Sequence, residues 1–112
     1  MKEFNGKTAV ITGGAGGIGF ALANQAADHQ MNVVLADIEQ EALALAVRRL
    51  EERQCQAIGV VTDTRHKPAL ENLLEKAIER FGKVHLLFNN AGVVNAGAPV
   101  PIWNLPPADW DW

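Results

Sequence analysis

The apolar positions of this chain alternate between two spacings, continuous short runs and helical stripes, and each switch marks an element. Thr8 to Thr12 (TAVIT) is an unbroken apolar and β-branched run ending in glycines, the pattern of a strand buried on both faces. From Gly17 to His29 the sequence becomes Ala-rich, and Ile18, Leu22 and Ala26 share one helical face, which is expected to pack on the sheet. Val33 to Ala36 predicts a second strand and Glu39 to Arg53 a second helix, with Leu43, Val47 and Leu50 as its buried stripe. Ala57 to Val61 predicts a third strand. His66 to Phe81 follows as a helix carrying Leu70, Leu73, Leu74, Ala77, Ile78 and Phe81 on one side, and Gly82 ends it. Val84 to Phe88 reads as the fourth strand.

Strands alternating with helices imply β–α–β crossovers and a parallel sheet, so the expected class is α/β with helices on both faces. Beyond Asn89 the texture changes to AGVVNAGAPVPIWNLPPADWDW, rich in Gly, Pro, Ala and Trp, which reads as a loop over the carboxyl edge of the sheet. A further helix is expected to begin near the end, since Pro107 suits a first helical position and Asp109 favours the positive helix start.

A length of 112 residues, 48 % hydrophobic and 21 % charged, accommodates one ordinary globular domain. The net charge of −3 argues against nucleic acid as a partner, because phosphate neutralisation needs clustered cations. Arg48 and Arg49 lie among Glu39, Glu41, Glu51 and Glu52 and read as a solvated face. The single cysteine, Cys55, has no intramolecular disulfide partner and no motif around it, and the start MKEFNGKTAV has no apolar secretory core, so a cytoplasmic protein is expected. No stretch approaches the roughly 20 apolar residues of a bilayer span, so no membrane partner is expected. His29, His66 and His85 carry no metal-ligand spacing and read as surface or capping residues.

The chemistry concentrates at the turn after the first strand, Thr12-Gly13-Gly14-Ala15-Gly16-Gly17-Ile18-Gly19. Gly13 lets the chain turn sharply, Gly17 lets backbone approach a pyrophosphate, and Gly19 lets the helix sit close to the strand. The helix start then offers N–H groups and a positive dipole end to phosphates. A glycine cluster alone could be a flexible turn. Its place at the first strand-to-helix turn, with Asp37 ending the second strand, points instead to a dinucleotide whose ribose hydroxyls donate to that carboxylate.

These residues resemble a known family. TGGAGGIG is similar to the TGxxxGxG fingerprint of the short-chain dehydrogenase/reductases, a Rossmann-type family, and Asn89-Asn90-Ala91-Gly92 matches its NNAG motif. The resemblance implies a doubly wound sheet of strand order 3-2-1-4. It implies that Asp63, in VVTDT, contacts the adenine amino group with Thr64 beside it, although Asp63 could also merely cap its loop. It further implies that the NNAG asparagine shapes a ribose pocket while holding the sheet. The expected cofactor-binding set is Gly13, Gly14, Gly17, Ile18, Gly19, Asp37, Ile38, Asp63, Thr64, Asn90, Ala91 and Gly92. Asp37, followed by Ile38 rather than a basic residue, repels a 2′-phosphate and favours NAD over NADP.

In that family a Tyr and Lys pair, a Ser and a later Asn carry out the proton transfer that accompanies hydride transfer. This sequence contains no tyrosine and no serine, so no catalytic residue is carried over. Residues 1–112 are expected to be the N-terminal portion of one NAD(P)-binding domain, and an alcohol or carbonyl substrate belongs only to the complete enzyme. On this reading the fourth strand, with Leu86, Leu87 and Phe88, is an open edge through which the chain self-associates. Trp103, Trp110 and Trp112 are then expected to lose the helices they would pack against, and weak binding is expected, with ADP-ribose binding nearly as well as NAD. The alternatives are a non-enzymatic NAD-binding module that pairs with a full-length relative and a split enzyme completed by another chain.

Overall fold

A computed structural model describes residues 4–90. Expectations resting on Ala91, Gly92, Trp103, Pro107, Asp109, Trp110 and Trp112 lie outside the described residues. Seven elements alternate along the described residues: β1 (Thr8–Thr12), α1 (Gly17–Asp28), β2 (Asn32–Asp37), α2 (Gln40–Glu52), β3 (Ala57–Val61), α3 (Lys67–Phe81) and β4 (Leu86–Asn89). The strands pair in parallel in the order β3-β2-β1-β4. The expected α/β class and strand order are therefore the ones observed, with element ends displaced by a residue or two.

The unbroken apolar runs occupy the middle of the sheet for a simple reason. β1 and the inner residues of β2 are buried on both faces, and alternate side chains supply two separate cores. Ala9, Ile11, Val33 and Leu35 point to one face, where Ala23, Ala26, Leu43, Ala46 and Leu50 of α1 and α2 meet them. Val10, Val34 and Ala36 point to the other, where Leu73 and Ala77 of α3 cover them. Leu35, Leu50 and Leu73 are almost wholly covered. Each contributes roughly 1.5–3 kcal/mol relative to an exposed side chain.

Two expected stripes differ in detail. On α1 the buried positions are Gly19, Ala23 and Ala26, whereas Ile18 is 71 % exposed and Leu22 is only partly covered. The helix approaches the sheet through its smallest residues, and the larger Ile18 is left at its outer margin. On α3 the stripe centres on Leu73 and Ala77, and Ile78, further round the helix, is 52 % exposed.

α1 and α2 end alike. Gln30 and Gln54 take left-handed φ values of 60° and 67°. The N–H groups of Gln30 and Met31 reach back to the Ala27 and Ala26 carbonyls, and those of Gln54 and Cys55 to Glu51 and Leu50. This Schellman arrangement satisfies carbonyls that a helix end otherwise leaves open. Cys55 is half-buried, its thiol donates to the Met31 carbonyl, and burial pushes its pKa up, which suits an inert thiol.

His85 does more than sit at a surface. Just before β4, its N–H donates to the Thr8 carbonyl at 2.9 Å, and its Nδ1 accepts the Thr8 N–H at 3.0 Å. Only a neutral ring accepts at Nδ1. Burial, and then the neighbouring Lys7 and Lys83, push its pKa down from the ordinary 6.5. Because the folded chain disfavours the proton, this stability is full above pH 6.5 and is lost as pH falls below that value through the lower folded-state pKa. Denaturant melts at pH 7.5 and 5.5 are expected to show wild type losing on the order of 1 kcal/mol more than His85→Gln, which keeps an acceptor but does not titrate. Equal losses in the two chains would rule out the His85 contact as the cause.

Candidate functional site

β1 delivers the chain into the glycine turn at the carboxyl edge of the sheet. Gly13 and Gly17 take φ values of +64° and +55°, in the left-handed region that side chains rarely adopt. The Gly14 N–H donates to the Ala36 carbonyl at 3.1 Å and binds the turn to the end of β2. α1 starts at Gly17 after Gly16 at the N-cap, with no side-chain cap and no acid in its first turn. Its leading N–H groups and positive dipole end therefore have no side-chain acceptor.

Gly19 and Gly17 make opposite use of a missing Cβ. At Gly19 a Cβ would lie 2.0 Å from the Gly13 carbonyl oxygen, so α1 rests directly on the turn. At Gly17 a Cβ would meet nothing within 4 Å, and that side is open. The helix start is thus both tightly seated and accessible, as an approaching anion requires.

Asp37, at the end of β2, fastens this turn. Its Oδ2 accepts the Ala15 N–H and its Oδ1 the Glu39 N–H, each at 3.1 Å. A cleft of about 300 Å³ opens here, lined by Gly13, Asp37 and Ile38 together with Thr62, Asp63, Thr64 and Arg65 from the segment after β3. Ile38 is 55 % exposed and gives the cleft an apolar wall. The Thr62 N–H donates to the Asp37 carbonyl at 2.9 Å and joins the two halves of the lining.

Asp63 is gripped by Arg65. Its Oδ1 accepts the Arg65 backbone N–H and Nε–H, both at 3.0 Å, and its Oδ2 accepts Nη2–H at 2.8 Å. These bonds hold the Asp63 carboxyl well below the usual carboxylate range. The loop-capping role considered for Asp63 is therefore present, and the same carboxylate also faces the cleft.

At the far side of the turn, the buried Thr12 hydroxyl donates toward Asn89 Oδ1 at 3.0 Å and the Phe88 carbonyl at 3.3 Å. The Asn90 amide donates to the Gly13 carbonyl at 3.4 Å. The end of β4 is thereby tied to the tip of β1 and to the turn.

Gly13, Gly14, Gly17, Ile18, Gly19, Asp37, Ile38, Asp63, Thr64 and Asn90 all lie along this one edge; Ala91 and Gly92 are outside the described residues. The sequence motifs did not single out Arg65 or assign a role to the Thr12 hydroxyl. An Arg two residues after an Asp is a local signal for a side-chain-to-backbone turn, but it belongs to no motif. The edge combines an open, uncapped helix start suited to an anion with two carboxylates that accept from hydroxyl or amino groups. Among the described residues no helix is long and apolar enough to cross a membrane.

A protein-family model described as short chain dehydrogenase matches residues 7–112. A CLA biosynthesis dehydrogenase/reductase of Lactiplantibacillus plantarum is 36 % identical over 112 residues, which cover 100 % of this chain and 38 % of that protein. The crystal structure of a short chain dehydrogenase/reductase from Burkholderia phymatum in complex with NAD superposes with a TM-score of 0.81 at 46 % identity, covering 100 % of this chain and 39 % of that one. NAD+-bound xylitol dehydrogenase superposes with a TM-score of 0.79 at 34 % identity, covering 96 % of this chain and 41 % of the other. The chain thus spans about two fifths of the length of the relatives it matches.

Proposed function

The chain belongs to the short-chain dehydrogenase family, and from that premise we propose that its carboxyl edge binds nicotinamide adenine dinucleotide. It is the N-terminal part of the nucleotide-binding domain of an oxidoreductase acting in the cytoplasm on an alcohol or carbonyl substrate. The observation that carries this reading is the placement of Asp37 beside an uncapped helix start at which Gly16 and Gly17 face open space.

Each residue then has a role set by its chemistry. Gly14, Gly17, Ile18 and the close-seated Gly19 present α1 to the pyrophosphate. Asp37 accepts from the adenosine ribose hydroxyls, and Ile38 forms an apolar wall for the base. Asp63 and Thr64 meet the adenine edge, while Asn90, Ala91 and Gly92 serve the second ribose. The nicotinamide ring, when bound, supplies the hydride acceptor or donor. With neither Tyr nor Ser in these 112 residues, no side chain here is assigned a role in the accompanying proton transfer.

NAD is favoured over NADP on two grounds. Asp37 places negative charge where a 2′-phosphate would sit, and the cation lining the cleft, Arg65, is already paired with Asp63. Calorimetric titration is expected to give binding of NAD and ADP-ribose, with NADP weaker by about tenfold or more. ADP-ribose lacks only the nicotinamide, so it reads the adenosine, pyrophosphate and second-ribose contacts without the ring. NADP binding as tightly as NAD would overturn the cofactor preference, and a folded chain that binds none of the three would overturn the nucleotide reading.

A further inference from the structure

We propose that Arg65 is a positioning residue that sets Asp63 to accept from an amino-bearing base edge, so that the cleft selects a 6-aminopurine over a 6-oxopurine. The inference rests on the nucleotide reading above and extends it to a residue outside every motif.

The argument is a count of acceptor positions. An ionised carboxylate offers about four lone-pair positions on its two oxygens. Arg65 fills both on Oδ1, with its backbone N–H and its Nε–H, and one on Oδ2, with Nη2–H. His66 Nε2 lies 3.5 Å from Oδ2, longer than a good hydrogen bond. One acceptor position on Oδ2 is left, on a carboxylate that lines the cleft.

The fork also fixes orientation. A bidentate guanidinium holds a carboxylate in one plane, whereas a free carboxylate on a loop rotates among water partners. Arg65 further keeps the group ionised, since its hydrogen bonds lower the proton affinity of Asp63. A fixed, charged, acceptor-only oxygen pairs with an exocyclic amino group and leaves a carbonyl oxygen facing it unpaired and repelled.

The competing possibility is that the pair only caps the loop before α3. Base selectivity separates the two, because a cap has no reason to tell purines apart. The full chain is titrated calorimetrically with ADP-ribose and with its hypoxanthine counterpart, as wild type, Arg65→Met and Arg65→Lys. Wild type is expected to prefer ADP-ribose by about tenfold. Arg65→Met is expected to narrow that ratio to about twofold with its circular dichroism unchanged, and Arg65→Lys, which keeps the charge but not the fork, to fall between.

A wild-type chain that binds both ligands equally, or prefers hypoxanthine because guanidinium N–H groups read the base instead, overturns the inference and leaves the nucleotide site standing. A tenfold ratio preserved in folded Arg65→Met overturns it as well. Should Arg65→Met lose its helical signal, the ratio in Arg65→Lys decides by the same criterion. If wild type binds neither ligand, the nucleotide reading fails and this inference fails with it.

Discussion

Gly19→Ala is expected to destabilise the chain by roughly 3 kcal/mol or more, at the upper end of what a forced methyl costs in a packed site. The added Cβ would stand 2.0 Å from the Gly13 carbonyl oxygen and 2.8 Å from its carbon, and both are backbone atoms that no rotamer change removes. It would also come within 2.9 Å of Asn90 Nδ2, whose hydrogen bond to the Gly13 carbonyl would be lost. The relief open to the chain is for α1 to lift from β1, and the covered residues Ala23 and Ala26 would lift with it. Against a total stability of about 5–15 kcal/mol, such a loss is visible as a large shift in a urea midpoint. Gly16→Ala is the control: a Cβ there meets nothing within 4 Å, and its effect is expected to stay near 0.5 kcal/mol. Equal midpoints for the two variants would mean that α1 does not rest on the turn.

Asp37→Asn is expected to reduce NAD affinity several-fold and raise that for NADP, closing a preference of about tenfold or more. A unit charge about 4 Å from another contributes roughly 4 kcal/mol at the effective dielectric of a protein surface, so removing it from beside a 2′-phosphate is decisive. The side chain amide oxygen of Asn still accepts one of the two backbone N–H bonds now made to Ala15 and Glu39. Asp37→Ala loses both and is expected to destabilise the chain by a further 1–3 kcal/mol, because hydrogen bonds to a charged acceptor are the stronger kind. Parallel titrations with NAD and NADP check the first effect and denaturant melts the second. An unchanged NAD:NADP ratio in Asp37→Asn would remove this carboxylate from cofactor choice.

Much of this was legible in the residues, for reasons that differ between elements. β1 and β2 announce themselves because a strand covered on both faces has no polar side to interrupt its run. Gly13, Gly17 and Gly19 were legible because their backbone demands exclude other residues. α1 misled for the converse reason. A hydrophobicity pattern selects the largest apolar residues, Ile18 and Leu22, but a helix seated directly on a turn needs its smallest residues inward, and these are Gly19, Ala23 and Ala26. Ile78 was misjudged because a stripe defined by Leu73 and Ala77 has a margin that spacing alone does not place. Arg65 and His85 were illegible in another sense. Their roles depend on a partner's geometry, a carboxylate at i−2 for one and a β1 amide for the other, and neither contact leaves a composition signal.

The ties between β4 and the glycine turn bear on how the two halves of this edge communicate. Asn90 holds the Gly13 carbonyl, and the Thr12 hydroxyl reaches Asn89, so the turn and the end of β4 share hydrogen bonds. On the proposed function, a molecule settling against Asn90 would steady the segment proposed to receive the pyrophosphate, and occupation of that segment would steady Asn90 in return. Thermodynamic linkage makes the two effects equal: whatever factor one occupant adds to the other's affinity, it receives back. Cooperativity of this kind requires no moving domain, since a single amide bridging the glycine turn and the residue after β4 is enough to couple their occupants.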